Sequence, residues 1–138
     1  MDLFARTLEA LDWDAVLAAL SRHARTVRGQ AAALVPDFAP DADAVRTRYG
    51  AVADIQRIED ETADLVPVGA VLDVQSAVER AARGIVLEPG ELRDIGACLV
   101  ALDRLQRWAE QRAETALFLW DLVAPISVEP ELVDTLGR

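Results

Sequence analysis

At 138 residues, 52% apolar and 28% charged, the chain is long enough to bury one core, and its composition excludes a disordered tail. The net charge of −10 repels phosphate backbones and excludes a free-standing DNA- or RNA-binding module. A lone Cys98 excludes an internal disulfide and fits a reducing cytoplasm, and no apolar run approaches the ~18 residues of a membrane span.

In chain order the sequence predicts an all-α fold of helical hairpins plus one long helix, without a substantial sheet, as a single domain over 1–138. Leu3 to Leu11 is a short first helix or turn, and Trp13, Val16, Leu17 and Leu20 give the next helix an apolar stripe with Asp12 as its cap. A break is expected over Ser21 to Thr26. Thr26 caps the following helix through its hydroxyl, Gly29 admits a close neighbour on the first turn, and Pro36 ends the helix after Leu34. Asp41 or Asp43 opens a third helix, with Val45, Tyr49, Val52, Ile55 and Ile58 spaced to fold back across the Pro36 to Pro40 turn; it ends near Thr62 or Ala63. Pro67 and Gly69 mark Asp64 to Leu72 as a loop. Asp73 then caps a short helix with Val74, Val78 and Ala81 on its face, Gly84 is its left-handed terminator, and Ile85-Val86-Leu87 is extended. Pro89 at a first helical position opens the longest element, with Leu92, Ile95, Leu99, Leu102 and Ala109 on one face and Leu105 and Trp108 widening it. A break is predicted over Arg112 to Thr115, with Thr115 capping a last apolar helix from Leu117 to Val123. Pro130 starts another helix that shows its apolar face only just before Arg138, so an excised N-terminal piece of a longer protein is expected.

The order Thr26, Gly29, Leu34, Pro36, Arg48, Ala51-Val52 resembles the opening of the core domain of the MutS family of mismatch-repair ATPases. Leu8-Glu9-Ala10-Leu11-Asp12-Trp13-Asp14-Ala15-Val16-Leu17 and Arg83-Gly84-Ile85-Val86-Leu87-Glu88-Pro89-Gly90-Glu91-Leu92 resemble the second MutS subfamily, which suppresses recombination and lacks the mismatch-reading domain. Two positions depart from that pattern. Trp13 stands where Phe is usual, and Glu88 stands where Ser is commoner, which puts the cap of the longest helix in question.

The resemblance implies a longer parent protein: lever helices and a clamp, an ATPase domain binding ATP and Mg, and a small C-terminal nuclease domain. It also implies a homodimer in the cytoplasm, binding branched DNA or, through rRNA, stalled ribosomes by way of those other domains. All 14 basic residues are Arg, which reads as codon bias of a GC-rich genome, and without Lys the chain cannot hold a Gly-x-x-x-x-Gly-Lys-Ser/Thr loop. No catalytic, cofactor-binding or metal residue is expected in this segment.

Several candidate contacts remain. Arg22, Arg25 and Arg28 flank His23 as a basic strip for phosphate or a neighbouring domain, although pairing with acids is the simpler expectation. Arg104, Arg107 and Trp108 place an aromatic among positive charge, the setting for base stacking, with burial of the indole preferred. Glu59-Asp60-Glu61 with Asp64 lacks the turn and carbonyl ligands of a calcium loop and reads as a solvated helix end. Leu117, Phe118, Leu119 and Trp120 form an apolar run too wide for one buried stripe, which predicts a face for another domain or subunit. Three function classes follow: a non-catalytic scaffold segment of a MutS-like ATPase, a stand-alone helical protein-interaction adaptor, and a self-contained enzyme. The last lacks any convergent titratable cluster.

Overall fold

The computed structural model describes residues 3–35 and 38–136. Among them lie eight helices and no strand: α1 (Leu3–Ala10), α2 (Trp13–His23), α3 (Val27–Leu34), α4 (Ala42–Thr62), α5 (Gln75–Ala82), α6 (Pro89–Glu110), α7 (Leu117–Val123) and α8 (Pro130–Leu136). They form two compact units, Met1–Phe38 and Ala39–Arg138.

In the first unit α2 packs on α1 and on α3. Thr26 caps α3 as its sequence predicts, its Oγ1 accepting the Gly29 N–H at 3.0 Å. The close neighbour at Gly29 is that same hydroxyl, since a Cβ there would sit 2.8 Å from Thr26 Oγ1. The Ser21 hydroxyl donates to the Gln30 carbonyl and Gln30 Nε2 to the Ala24 carbonyl, tying the break between α2 and α3 into a hairpin. Asp12 occupies the predicted cap position but not the role. Its backbone is left-handed (φ 49°, ψ 46°), and its carboxylate caps nothing. Of the expected α2 stripe only Leu17 is buried; Trp13 is half-buried, stacked on Phe38 at 6.3 Å, and Val16 and Leu20 are exposed. Pro36, the expected helix stop, lies outside the described residues, and so does part of the turn over which a fold-back of α3 on α4 is expected.

The second unit is built on a core of Ile58, Leu105, Ala109, Ala116, Leu119 and Val123, with Trp108 and Trp120 packed against it. α7 packs on α4 and α6, and α5 and α8 pack on α6. Asp41, not Asp43, caps α4: its Oδ1 accepts the Ala44 N–H at 2.8 Å, while Asp43 pairs with Arg46 at 2.5 Å. The buried line of α4 is Ala51 and Ile58, and Val45, Tyr49 and Val52 of the expected stripe are exposed. On α6 the expected face is largely turned inward, with Leu105 and Ala109 buried and Ile95, Leu99, Leu102 and Trp108 half-buried; Leu92 is exposed, and Gly96, Cys98 and Ala101 are buried as well. On α5 the buried residue is Ala77, with Val78 and Ala81 outside. Large and small residues share the buried positions: Ile58 and Leu105 enter the core, while Ala51, Ala77 and Ala101 are buried beside them, where small side chains permit close approach.

The ends follow local chemistry. Asp73 Oδ1 accepts the Gln75 N–H at 3.3 Å, Gly84 (φ 77°) ends α5, and Pro89 opens α6. At the questioned Glu88 position, the Glu91 carboxylate reaches back to the Glu88 N–H at 3.0 Å and also pairs with Arg80. α6 ends at Glu110, and a turn over Gln111–Thr115 is the predicted break.

Candidate functional site

The junction of α4, α6 and α7 gathers five polar side chains that act between elements, Asp54, Arg57, Asp64, Trp108 and Arg112. α7 begins at Ala116, which has no side chain to cap it, and Thr115, the expected cap, turns its hydroxyl to the Arg112 carbonyl instead. The missing acceptor comes from α4. Asp54, its side chain only 13% exposed, accepts the Leu119 N–H at 3.1 Å through Oδ2, and its Oδ1 pairs with Arg57 at 3.3 Å. Arg57 in turn donates to the Thr115 carbonyl and pairs with Glu61 at 3.7 Å. A carboxylate at the amino end of a helix meets both free N–H groups and the positive end of the dipole, so this brace orients α7 on α4.

A second brace closes the loop after α4 onto the end of α6. Asp64 Oδ2 accepts Trp108 Nε1–H at 2.8 Å and Arg112 Nη2–H at 2.5 Å. The Arg112 guanidinium also lies 4.3 Å from the Trp108 ring and donates to the Trp108 carbonyl. Trp108 is therefore half-buried and held by its own unit, in line with the preferred burial of its indole. Arg107 pairs with Asp103 at 3.0 Å, and Arg104 is exposed on the same helix. Arg22, Arg25 and Arg28 all lie exposed in the first unit, as does His23. Of the acidic group considered for a cation, Asp64 and Glu61 are engaged by Arg112 and Arg57, and among the described residues no cluster of His, Cys, Asp or Glu has the form of a metal site.

The apolar run of α7 divides. Leu119 is buried and Trp120 half-buried in the core, whereas Leu117, Phe118 and Leu122 face outward. Beside Phe118 and Leu122, a groove of about 370 Å³ opens against α4 over Ala51, Val52 and Ile55, rimmed by Thr47, Arg48 and Asp121. Phe118 lies flat on the α4 backbone because position 50 is Gly; a Cβ there would come within 2.4 Å of the ring. Cys98 is buried on α6, its Sγ 3.5 Å from the Leu72 carbonyl; burial pushes the thiol up from its ordinary value of 9.0, against the lowering pull of that carbonyl bond.

Sequence reasoning misses Asp54 and Arg57, and it reads Asp64 as part of a solvated helix end where the structure has it holding Trp108 and Arg112. The signal was present in part: Asp54 interrupts the buried line between Ala51 and Ile58, and Ala116 opens a helix without a capping side chain. A buried-side carboxylate and an uncapped helix are complementary lacks, but only the fold pairs them.

Among the described residues no helix is long and apolar enough to cross a membrane. No family model matches the chain, and no solved structure matches it significantly. Curated proteins do. The chain is 37% identical over 133 residues to Endonuclease MutS2 of Anaeromyxobacter sp. (strain Fw109-5), covering 96% of this chain and 16% of that protein. It is 30% identical over 109 residues to Endonuclease MutS2 of Symbiobacterium thermophilum, and 27% identical over 123 residues to that of Bacillus cereus (strain B4264), covering 13% and 15% of those proteins. The chain thus spans about one-sixth of the length of the relatives it matches. The match to the Anaeromyxobacter protein runs over 96% of this chain and those to the other two over 78% and 85%, and the chain belongs to the MutS2 family as a segment of it.

Proposed function

We propose that this chain is a non-catalytic scaffold segment of a MutS-like, DNA-binding ATPase, transmitting position between a nucleotide site and a nucleic-acid clamp located in other domains. The observation that carries this reading is the pair of braces. Asp54 fixes α7 on α4, and Asp64 fixes the loop after α4 on α6, so the inward-facing charges of the second unit hold helices in register. The name of the relatives, Endonuclease MutS2, supports a nuclease as part of the whole protein. In this proposal the whole protein is a cytoplasmic homodimer that binds ATP and Mg and engages branched DNA to suppress homologous recombination. It also acts on stalled ribosomes through rRNA, again by way of other domains.

ATP hydrolysis and DNA cleavage by the purified chain, beside a longer protein of the family, test the proposal. The chain alone is expected to turn over neither substrate while the longer protein does. Turnover of ATP or DNA by the 138-residue chain itself would overturn it. The exposed Phe118 and Leu122 also favour a second reading, a stand-alone adaptor binding a protein partner through the same groove.

A further inference from the structure

We infer that the groove between α4 and α7 seats an amphipathic helix with a basic polar face, supplied by the rest of a MutS2-length chain; this rests on the scaffold reading and names the partner of that surface. Three observations on this unit lead there. First, α7 carries apolar residues on two faces, with Asp121 its one charged residue: Leu119 and Val123 enter the core while Phe118 and Leu122 remain 43% and 67% exposed. Apolar side chains grouped on an outward face are normally covered, and across the groove α4 leaves Val52 51% exposed in the same patch. Second, the patch is a trough and not a flat face. The ring of Phe118 forms one wall against Gly50, Ala51 and Ile55 form the floor, and the volume of about 370 Å³ takes the anchoring side chains of one helix face.

Third, charge selects among occupants. Nearly all of the net charge of −10 resides in this unit, whose carboxylates outnumber its arginines by about two to one. A second copy would bring the same excess of negative charge to the interface, which opposes its docking. At the rim Arg48 and Asp121 offset one another, and the attraction that a helix with Arg or Lys beside its apolar face meets comes from the excess of carboxylates over the unit as a whole. The source is set by length: relatives in which this stretch occupies 13% to 16% of the protein supply ample chain to cover it.

The test uses peptides of about 20 residues, roughly 30 Å as helix, tiled through the Anaeromyxobacter relative outside the stretch it shares with this chain. Binding is read by fluorescence anisotropy against the 138-residue chain and its Leu122→Glu and Val52→Glu variants. The expected result is a contiguous group of peptides, with apolar residues three or four apart and net positive charge, that bind the chain and bind each variant about tenfold or more weakly. Each variant is more acidic than the parent, so attraction by charge alone would hold or rise; unchanged binding overturns the inference. So do the absence of any bound peptide, selection of acidic peptides, or a dimer in sedimentation that Leu122→Glu dissociates. Both substitutions are at exposed positions, and far-UV circular dichroism verifies that at least one variant keeps its helix content. ATP or DNA turnover by the chain would sink the scaffold reading and leave the peptide result intact, so the two failures are distinguishable.

Discussion

Asp54 concentrates two duties in one carboxylate. One oxygen caps α7 from a position 65 residues away in sequence and the other holds Arg57, which itself reaches the Thr115 carbonyl. Removing it leaves the Leu119 N–H without its acceptor and takes one partner from Arg57, which keeps the Thr115 carbonyl and Glu61. Asp54→Ala is expected to cost about 1–3 kcal/mol, whereas Asp54→Asn keeps an acceptor for Leu119 and should cost less. Urea denaturation of the two variants measures the difference; equal costs would mean that the carboxylate acts only through its pairing with Arg57. Thr26, in contrast, works locally. Its cap acceptor and donor lie within one turn, and that is why its role is legible in the sequence while that of Asp54 is not.

At the scale of elements, starts and stops are the features sequence reads best. Thr26, Asp41, Gly84 and Pro89 each act through backbone conformation or a bond to a residue nearby, and each stands where the residue type predicts. Gly84 gives a direct check. With φ at 77° and open space around its missing Cβ, Gly84→Ala suffers conformational strain alone, and a loss of about 1–2 kcal/mol is expected in thermal or urea unfolding. A neutral substitution would show that the turn can relax. Faces are read less well than ends. On α4 and α6 the expected faces supply Ile58, Leu105 and Ala109 to the core, but Val45, Tyr49, Val52 and Leu92 stay exposed while Ala51, Cys98 and Ala101 are buried, and on α5 Ala77 is buried in place of Val78, because periodicity counts hydrophobic bulk while close helix approach favours small side chains. Asp12 departs from expectation as well: the residue type suits a cap, but at the α1–α2 corner its backbone is left-handed, not extended as a capping residue's usually is, and its side chain makes no cap hydrogen bond.

At the scale of the molecule, charge limits what the exposed arginines can do. Arg22, Arg25, Arg28 and Arg104 are open to solvent, yet the chain carries a net charge of −10. In a gel-shift titration at 150 mM salt, roughly a Debye length of 8 Å, the chain is expected to leave duplex and branched DNA unshifted at micromolar concentration. A shift abolished by reversing Arg22, Arg25 and Arg28 would restore that strip as a nucleic-acid contact.

The sequence by itself determined the helical class, the family, most helix ends and the broad apolar surplus of Leu117 to Trp120, because capping, glycine conformation and composition act over a few residues. The tertiary structure alone decided that Asp54 completes α7, that Asp64 holds Trp108 and Arg112, and that half of the α7 surplus enters the core while Phe118 and Leu122 line a groove. Those assignments join residues 44 to 71 positions apart. Only the fold brings such residues within hydrogen-bond or van der Waals reach, where the interactions exist at all.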